Sequence, residues 1–269
     1  MTITEQILDG PHGPLRVRLY PANGDTAIVW AHGGGFAYGD IDMDEADAVA
    51  RAFAERGFPT ASVDYRLASA IPGDRWPAAG EPRGIRAPVP AEEVAFVVGW
   101  ARSLASRVAV GGASAGGNIA VGATLSLIGA GSAPPDRVIL AYPTLHAAQP
   151  PTPPALAARI AERGLADQFS PAVVRDMYAN YLGGSEPTVV AVPGTAGPDD
   201  LAGFPPTTIV ASETDELQVS GAAFAGSLAN AGVDVSFAVI PGTTHGHLNR
   251  PEDGGFEESI AALAAGLGA

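Results

Sequence analysis

The chain contains no cysteine. Disulfides, thiolate nucleophiles and cysteine-ligated zinc or iron are therefore excluded, and the redox state of the compartment leaves no mark on the sequence. Lysine is missing too, since all 15 basic residues are arginine. Without an ε-amino group there is no Schiff base, no pyridoxal-phosphate lysine, no Ser–Lys dyad and no P-loop lysine. Positive charge is scarce: 15 basic residues face 29 acidic ones, giving a formal charge of −14 and a pI near 4.6. A field of that sign disfavours nucleic acid, anionic membrane surfaces and polyanionic substrates as partners. No apolar run reaches the roughly 20 residues needed to cross a bilayer. Residues 1–10 lack the basic and apolar regions of a signal peptide, so a cytoplasmic protein is expected. The 5 histidines show no metal-ligand spacing, and neither a metal nor a cofactor is expected.

What is present fits one α/β domain over residues 1–269, with 46% hydrophobic residues to build a core. Short β-type runs alternate with helical ones, the pattern of a parallel sheet with crossover helices. Strands are predicted at Leu15–Tyr20, Thr26–Ala31, Thr60–Val63, Arg107–Val110, Arg137–Ala141, Thr207–Ala211 and Val233–Ile240. Helices are predicted at Met43–Arg56, Glu92–Leu104, Ser114–Leu127, Glu216–Ala231 and Phe256–Leu267. Two stretches break the rhythm. Residues 70–90 are rich in proline and glycine and read as a long loop excursion. Residues 143–206 hold a Pro-rich run and two amphipathic pieces near 155–164 and 171–182, the makings of a cap or lid.

The chemistry concentrates in two motifs. Gly112-Ala113-Ser114-Ala115-Gly116 lies between a β-run and a helix, the setting that a nucleophile at a sharp strand-to-helix turn requires. Small residues are needed on both flanks of such a turn, and the helix aims its N-terminal amides where negative charge develops. His32-Gly33-Gly34-Gly35 follows the apolar run Ala27–Ala31. Consecutive glycines after a strand leave amides unobstructed for an oxyanion.

Together with Phe36, Asp64-Tyr65-Arg66-Leu67-Ala68 and Gly117, these motifs resemble the hormone-sensitive-lipase-like branch of the α/β-hydrolase esterases. The similarity runs from about residue 26 to the C-terminus. It implies an α/β-hydrolase fold: a mostly parallel eight-stranded sheet flanked by helices, with a small cap. It also implies a catalytic triad in the order Ser, acid, His. Asp215 matches the acid position and His245 the base position, each just beyond a predicted strand. Glu213 and Glu216 compete for the acid role, and Asp215 has an alternative role as a helix N-cap. By motif position the oxyanion-hole amides are those of Gly34, Gly35 and Ala115, with His32 anchoring the loop. Three departures stand out: Ala113 where an acidic residue is common, Glu216 where proline is frequent, and His247 where an aromatic residue is usual.

Phe36, Tyr38, His247 and Leu248 are candidate pocket residues. Asp40, Asp42, Asp44, Glu45 and Asp47 read as a solvated helix start rather than a cation site. The function so implied is that of a serine carboxylesterase acting on small to medium neutral esters through an acyl-enzyme. Related enzymes commonly carry a helical cap segment ahead of the sheet. With the first motif already at residue 32, a thin cap, an open pocket and short acyl chains are expected. The partner is a small-molecule ester, with a homodimer left open. The rival reading is a ligand receptor of the same fold; gibberellin receptors keep the serine but lack the histidine, and His245 favours an enzyme. Lactone, amide and peptide hydrolysis with the same triad stay open.

Overall fold

The structure is a computed structural model that describes residues 2–71 and 84–267. Its centre is an eight-stranded sheet in the order β1-β2-β4-β3-β5-β6-β7-β8. The strands are β1 (Thr4–Gly10), β2 (Gly13–Tyr20), β3 (Thr26–Ala31), β4 (Thr60–Val63), β5 (Arg107–Ala113), β6 (Arg137–Ala141), β7 (Thr207–Thr214) and β8 (Val235–Thr244). The β1–β2 and β2–β4 pairs are antiparallel, and β4, β3, β5, β6, β7 and β8 run parallel. This is the α/β-hydrolase architecture that the motif resemblance implied.

The helices are α1 (Asp47–Glu55), α2 (Val89–Ala101), α3 (Ala115–Gly129), α4 (Pro154–Glu162), α5 (Pro171–Leu182), α6 (Gln218–Asn230) and α7 (Gly254–Ala265). They cover both faces, and the strand alternation shows how. In β3, Ala27, Val29 and Ala31 join one apolar cluster while Ile28 and Trp30 join the other. The first cluster takes Val94 and Val97 of α2, Ile119 of α3, Tyr178 of α5 and Phe224 of α6. The second takes Val49 and Phe53 of α1 with Ile260 and Leu263 of α7. Both faces of a parallel sheet must be covered, which is why β3 is buried at every position.

The structure departs from the sequence expectations in places. β1 is not among the predicted strands: it is an edge strand paired only with β2 among the described strands, its residues are mostly exposed, and Ile7 is 64% exposed. With no buried face it carries no alternation to detect. β8 continues four residues beyond Ile240 through Pro241 and Gly242, and pairs Thr244 with Thr214 past an irregularity at Ser212/Thr214. α1 begins at Asp47 rather than Met43, because residues before it form turns. α2 starts earlier than expected, at Val89, with a proline in its first turn. Of the 70–90 excursion, residues 72–83 lie outside the described residues. The two amphipathic pieces of the β6–β7 segment are α4 and α5. No helix among the described residues is long and apolar enough to cross a membrane.

One consequence of the topology sets up the site. β3, β5, β7 and β8 are parallel, and the residues directly after their last positions are His32, Ser114, Asp215 and His245. Four chain-distant groups therefore meet at the carboxyl edge of one sheet.

Candidate active site

Ser114 sits at φ 52°, ψ −117°, a backbone region that residues with a Cβ rarely adopt. Holding it there costs on the order of 1–3 kcal/mol, and its neighbours make the turn possible. A Cβ on Gly112 would collide with the backbone of Gly116, and one on Gly116 would collide with the carbonyl oxygens of Ala31 and His32. Both motif glycines are thus forced by close approach of β5, α3 and the β3 loop. The Ser114 carbonyl accepts the amides of Gly117 (3.1 Å) and Asn118 (3.3 Å), starting α3 at once. The side chain is left facing a cleft.

In that cleft Ser114 Oγ lies 3.0 Å from His245 Nε2, and His245 Nδ1 lies 2.7 Å from Asp215 Oδ2. With a carboxylate as its partner, Nδ1–H donates, and Nε2 is left to accept the serine hydroxyl proton. The other carboxylate oxygen of Asp215 accepts the Leu217 amide at 2.9 Å, closing a turn ahead of α6. Asp215 is not the helix N-cap, a position that Leu217 occupies. Ser114 is 5% and Asp215 3% exposed. The imidazole is held between rings: the Phe169 centroid is 4.2 Å away and that of Tyr142 4.9 Å.

The glycine loop is fixed from below. His32 is fully buried, donates from Nδ1 to the Gly33 carbonyl at 2.7 Å, and stacks on Tyr65 at 4.4 Å. The Tyr65 hydroxyl in turn donates to the His32 carbonyl at 2.7 Å. The Asp64–Ala68 motif is therefore a support for the loop. Gly34 (φ 111°) and Gly35 (φ 60°) adopt positive φ, and a Cβ on Gly34 would collide with the Tyr38 carbonyl. Gly34 and Gly35 line the cleft with Ser114 and His245. Ala115 is the first residue of α3, so its amide is among those an α-helix leaves without an internal partner.

The acidic run departs furthest from its expected form at one position. Glu45 is not a solvated charge: it is 2% exposed and reaches the cleft. Its Oε1 accepts the Gly33 amide at 2.6 Å, and its Oε2 accepts the Tyr142 hydroxyl at 2.7 Å and Asn249 Nδ2 at 3.0 Å. Burial pushes its carboxyl above the usual carboxylate range, against the pull of Tyr142, His245 and the other donors. Glu45 thus braces the glycine loop against the loop that carries His245. Asp42 and Asp44 are exposed as expected, Asp42 pairing with Arg18, whereas Asp40 and Asp47 are half-buried and Asp47 accepts the Tyr20 hydroxyl and Arg51.

The cleft holds about 410 Å³, within the range of small-molecule sites. Its walls include Tyr38, Met43, Gln168, Phe169, Asn249 and Arg250. Of the four candidate pocket residues only Tyr38 lines it. Phe36 is fully buried and stacked on Tyr181 at 4.0 Å, so it belongs to the core. Leu248 is fully buried in the apolar cluster beneath α1 and α7. His247 is 1% exposed, with Nδ1 3.0 Å from Ser212 Oγ and Nε2 2.6 Å from Ser259 Oγ. It is a structural link between β7 and α7, and burial together with the charges of His245 and Arg250 pushes its pKa down to about 4. Among the described residues no three His, Asp or Glu side chains stand together to hold a metal ion.

A strained serine at the carboxyl edge of such a sheet, bonded to a histidine that an acid orients, defines a class of hydrolases. The chain belongs to the alpha/beta hydrolase fold family, whose pattern it matches over residues 28–249, and it is a carboxylic ester hydrolase. It is 32% identical over 240 residues to carboxylesterase NlhH of Mycobacterium tuberculosis, covering 88% of this chain and 71% of that one. It is 29% identical over 244 residues to an ethyl acetate hydrolase of Pseudomonas putida, covering 86% of this chain and 70% of that one. Among solved structures, a hyperthermophilic esterase from the archaeon Pyrobaculum calidifontis superposes with a TM-score of 0.80 at 25% identity, over 98% of this chain and 84% of that one.

Proposed function

We propose that the protein hydrolyses small to medium neutral esters through an acyl-enzyme, with Ser114 as nucleophile, His245 as general base and Asp215 orienting the imidazole. The observation that carries this reading is the Ser114–His245–Asp215 chain of contacts at 3.0 and 2.7 Å, assembled across 131 and 30 residues. As Ser114 Oγ attacks the acyl carbon, its proton passes to His245 Nε2 and Asp215 stabilises the imidazolium. The carbonyl oxygen, now negative, is received by the amides of Gly34, Gly35 and Ala115. His245 then gives its proton to the departing alkoxide. A water, deprotonated by the same nitrogen, attacks the acyl carbon; the bond to Ser114 breaks, Ser114 Oγ takes the proton back from His245 Nε2, and the acid leaves.

The preference for small neutral substrates is supported by the size of the cleft and by its wall of Tyr38, Met43 and Phe169. The name of the Pseudomonas putida relative, an ethyl acetate hydrolase, points the same way. A formal charge of −14 should also repel anionic esters, more at low salt than at high salt. The test is a series of p-nitrophenyl esters from acetyl to decanoyl at two ionic strengths, with Ser114→Ala alongside. The expected kcat/KM maximum lies between acetyl and butyryl, and Ser114→Ala should lose about 10³-fold or more in kcat. An optimum at decanoyl would refute the small-ester preference. Nearly undiminished activity in Ser114→Ala would refute the nucleophile.

A further inference from the structure

Beside the acid of the triad stands a residue that the reaction leaves unused. Glu216 occupies the position where proline, which offers no side-chain acceptor, is frequent in the enzymes this chain resembles. Here the carboxylate does something specific. Its Oε2 accepts the backbone amide of Phe169 at 2.9 Å. The Glu216 carbonyl accepts Gln149 Nε2 at 2.9 Å, and the same nitrogen reaches the Phe169 carbonyl at 3.5 Å. The loop ahead of α5 is thus tied to the residue next to Asp215. A second attachment lies close by, where Leu156 and Ile160 of α4 pack with Leu165 and Val219 of α6.

The tie ends at a side chain that matters. Phe169 is 4% exposed, lines the cleft beside Gln168, and sets its ring 4.2 Å from the His245 ring at an interplanar angle of 56°. Burial, with Asp215 and Asp167 nearby, pushes the Glu216 carboxyl up, and the Phe169 amide pulls it back down. A carboxylate kept beside another acid at that cost needs a compensating donor, and the Phe169 amide is one.

We propose that Glu216 is a positioning residue that latches the β6–β7 segment to the acid turn and so seats Phe169 as the aromatic wall against which the apolar part of a neutral ester packs. The proposal rests on the Ser114–His245 reading only for where the substrate lies. Phe169 sets specificity by contact, and Glu216 acts through it.

The experiment is a double-mutant cycle with a short-chain p-nitrophenyl ester, joined to hydrogen exchange at the Phe169 amide. Glu216→Ala should raise KM about tenfold, the loss of one charge-assisted bond, with kcat changed less than threefold. Glu216→Gln keeps a carbonyl acceptor and should restore KM to within about threefold of the parent. In a Phe169→Ala background, adding Glu216→Ala should change KM little. Exchange at the Phe169 amide should quicken in Glu216→Ala and not in Glu216→Gln. Glu216→Pro supplies a second latch-free variant should the alanine form fold poorly. Multiplicative KM effects in the double variant, or Phe169 exchange unchanged in both latch-free variants, would overturn the proposal. Labelling of Ser114 by a fluorophosphonate reports on the nucleophile separately, so a failed triad and a failed latch give different results.

Discussion

Glu45→Gln is the most informative single change, because it keeps size and shape while removing one acceptor from a closed set of donors. The parent carboxylate serves the Gly33 amide on one oxygen, and the Tyr142 hydroxyl and Asn249 Nδ2 on the other. A glutamine has a single oxygen. If that oxygen stays with Gly33, the new NH₂ faces the NH₂ of Asn249, donor against donor. Tyr142 can turn to accept, at the loss of the acceptor for its own proton, and Asn249 Nδ2 retains only a 3.4 Å bond to the Gly246 carbonyl while its Oδ1 keeps the Glu45 amide. If the amide flips, the stranded donor is Gly33 itself, in the glycine loop. Either way at least one buried donor loses its partner, at about 1–3 kcal/mol. Relief of the buried charge offsets part of this, since burial disfavours the ionised form of Glu45. In a chain of this size the expected fall in Tm is about 2–8 °C.

Activity should fall further than stability. Gly33 precedes Gly34 and Gly35, the two glycines proposed to receive the oxyanion, and Asn249 and Gly246 belong to the loop carrying His245. Deleting an oxyanion donor outright costs about 10²–10³ in kcat. Loosening the loop that presents it should cost roughly tenfold or more, with KM nearly unchanged, because the interaction concerned forms in the transition state. Glu45→Ala strands all three donors and should be worse in both respects. Steady-state kinetics and thermal melts at neutral pH decide the matter. A Glu45→Gln enzyme with parental kcat and a Tm within 1 °C (well under the about 2 °C that the weakest stranded donor implies) would refute the bracing role.

Two further outcomes follow from buried groups and from backbone contact. His247, with a pKa pushed down to about 4, is neutral in the fold and charged in the unfolded chain below its ordinary value near 6.5. The stability this gives is therefore complete above pH 6.5 and lost as pH falls toward 4, a loss of about 3 kcal/mol. Denaturant midpoints measured from pH 7 to 4.5 should fall less steeply in His247→Gln, and parallel profiles would show that His247 does not carry the effect. Gly116→Ala forces a methyl into the carbonyls of Ala31 and His32, whereas Gly129→Ala at the end of α3 meets nothing within 4 Å. The first should lose about 1–3 kcal/mol and most activity, and the second should be neutral or gain up to about 1 kcal/mol; equal melting temperatures would contradict the packing argument.

The parts of the site legible in the sequence are those where chemistry dictates both residue type and local backbone. A serine that must stand at positive φ needs Gly112 and Gly116, and a loop that turns at positive φ against the Tyr38 carbonyl needs Gly34, so these positions carry local signatures. Glu45 carries none, because its burial is decided by Tyr142 and Asn249, 97 and 204 residues away. Beside Asp42, Asp44 and Asp47 it looks like one more solvated charge. A signal was available all the same: Glu45 stands four residues before Val49 and eight before Phe53, so the apolar face of α1, continued back one turn, passes through it. His247 misleads in the same way, since nothing within two residues of His245 indicates that its partners are Ser212 and Ser259. Glu216 differs again. It breaks the family pattern in plain sight, but only the placement of the Phe169 amide gives that departure a physical meaning. Departures from a motif are therefore where a fold has most to add, because the residue that replaces the usual one must find its partners outside the motif.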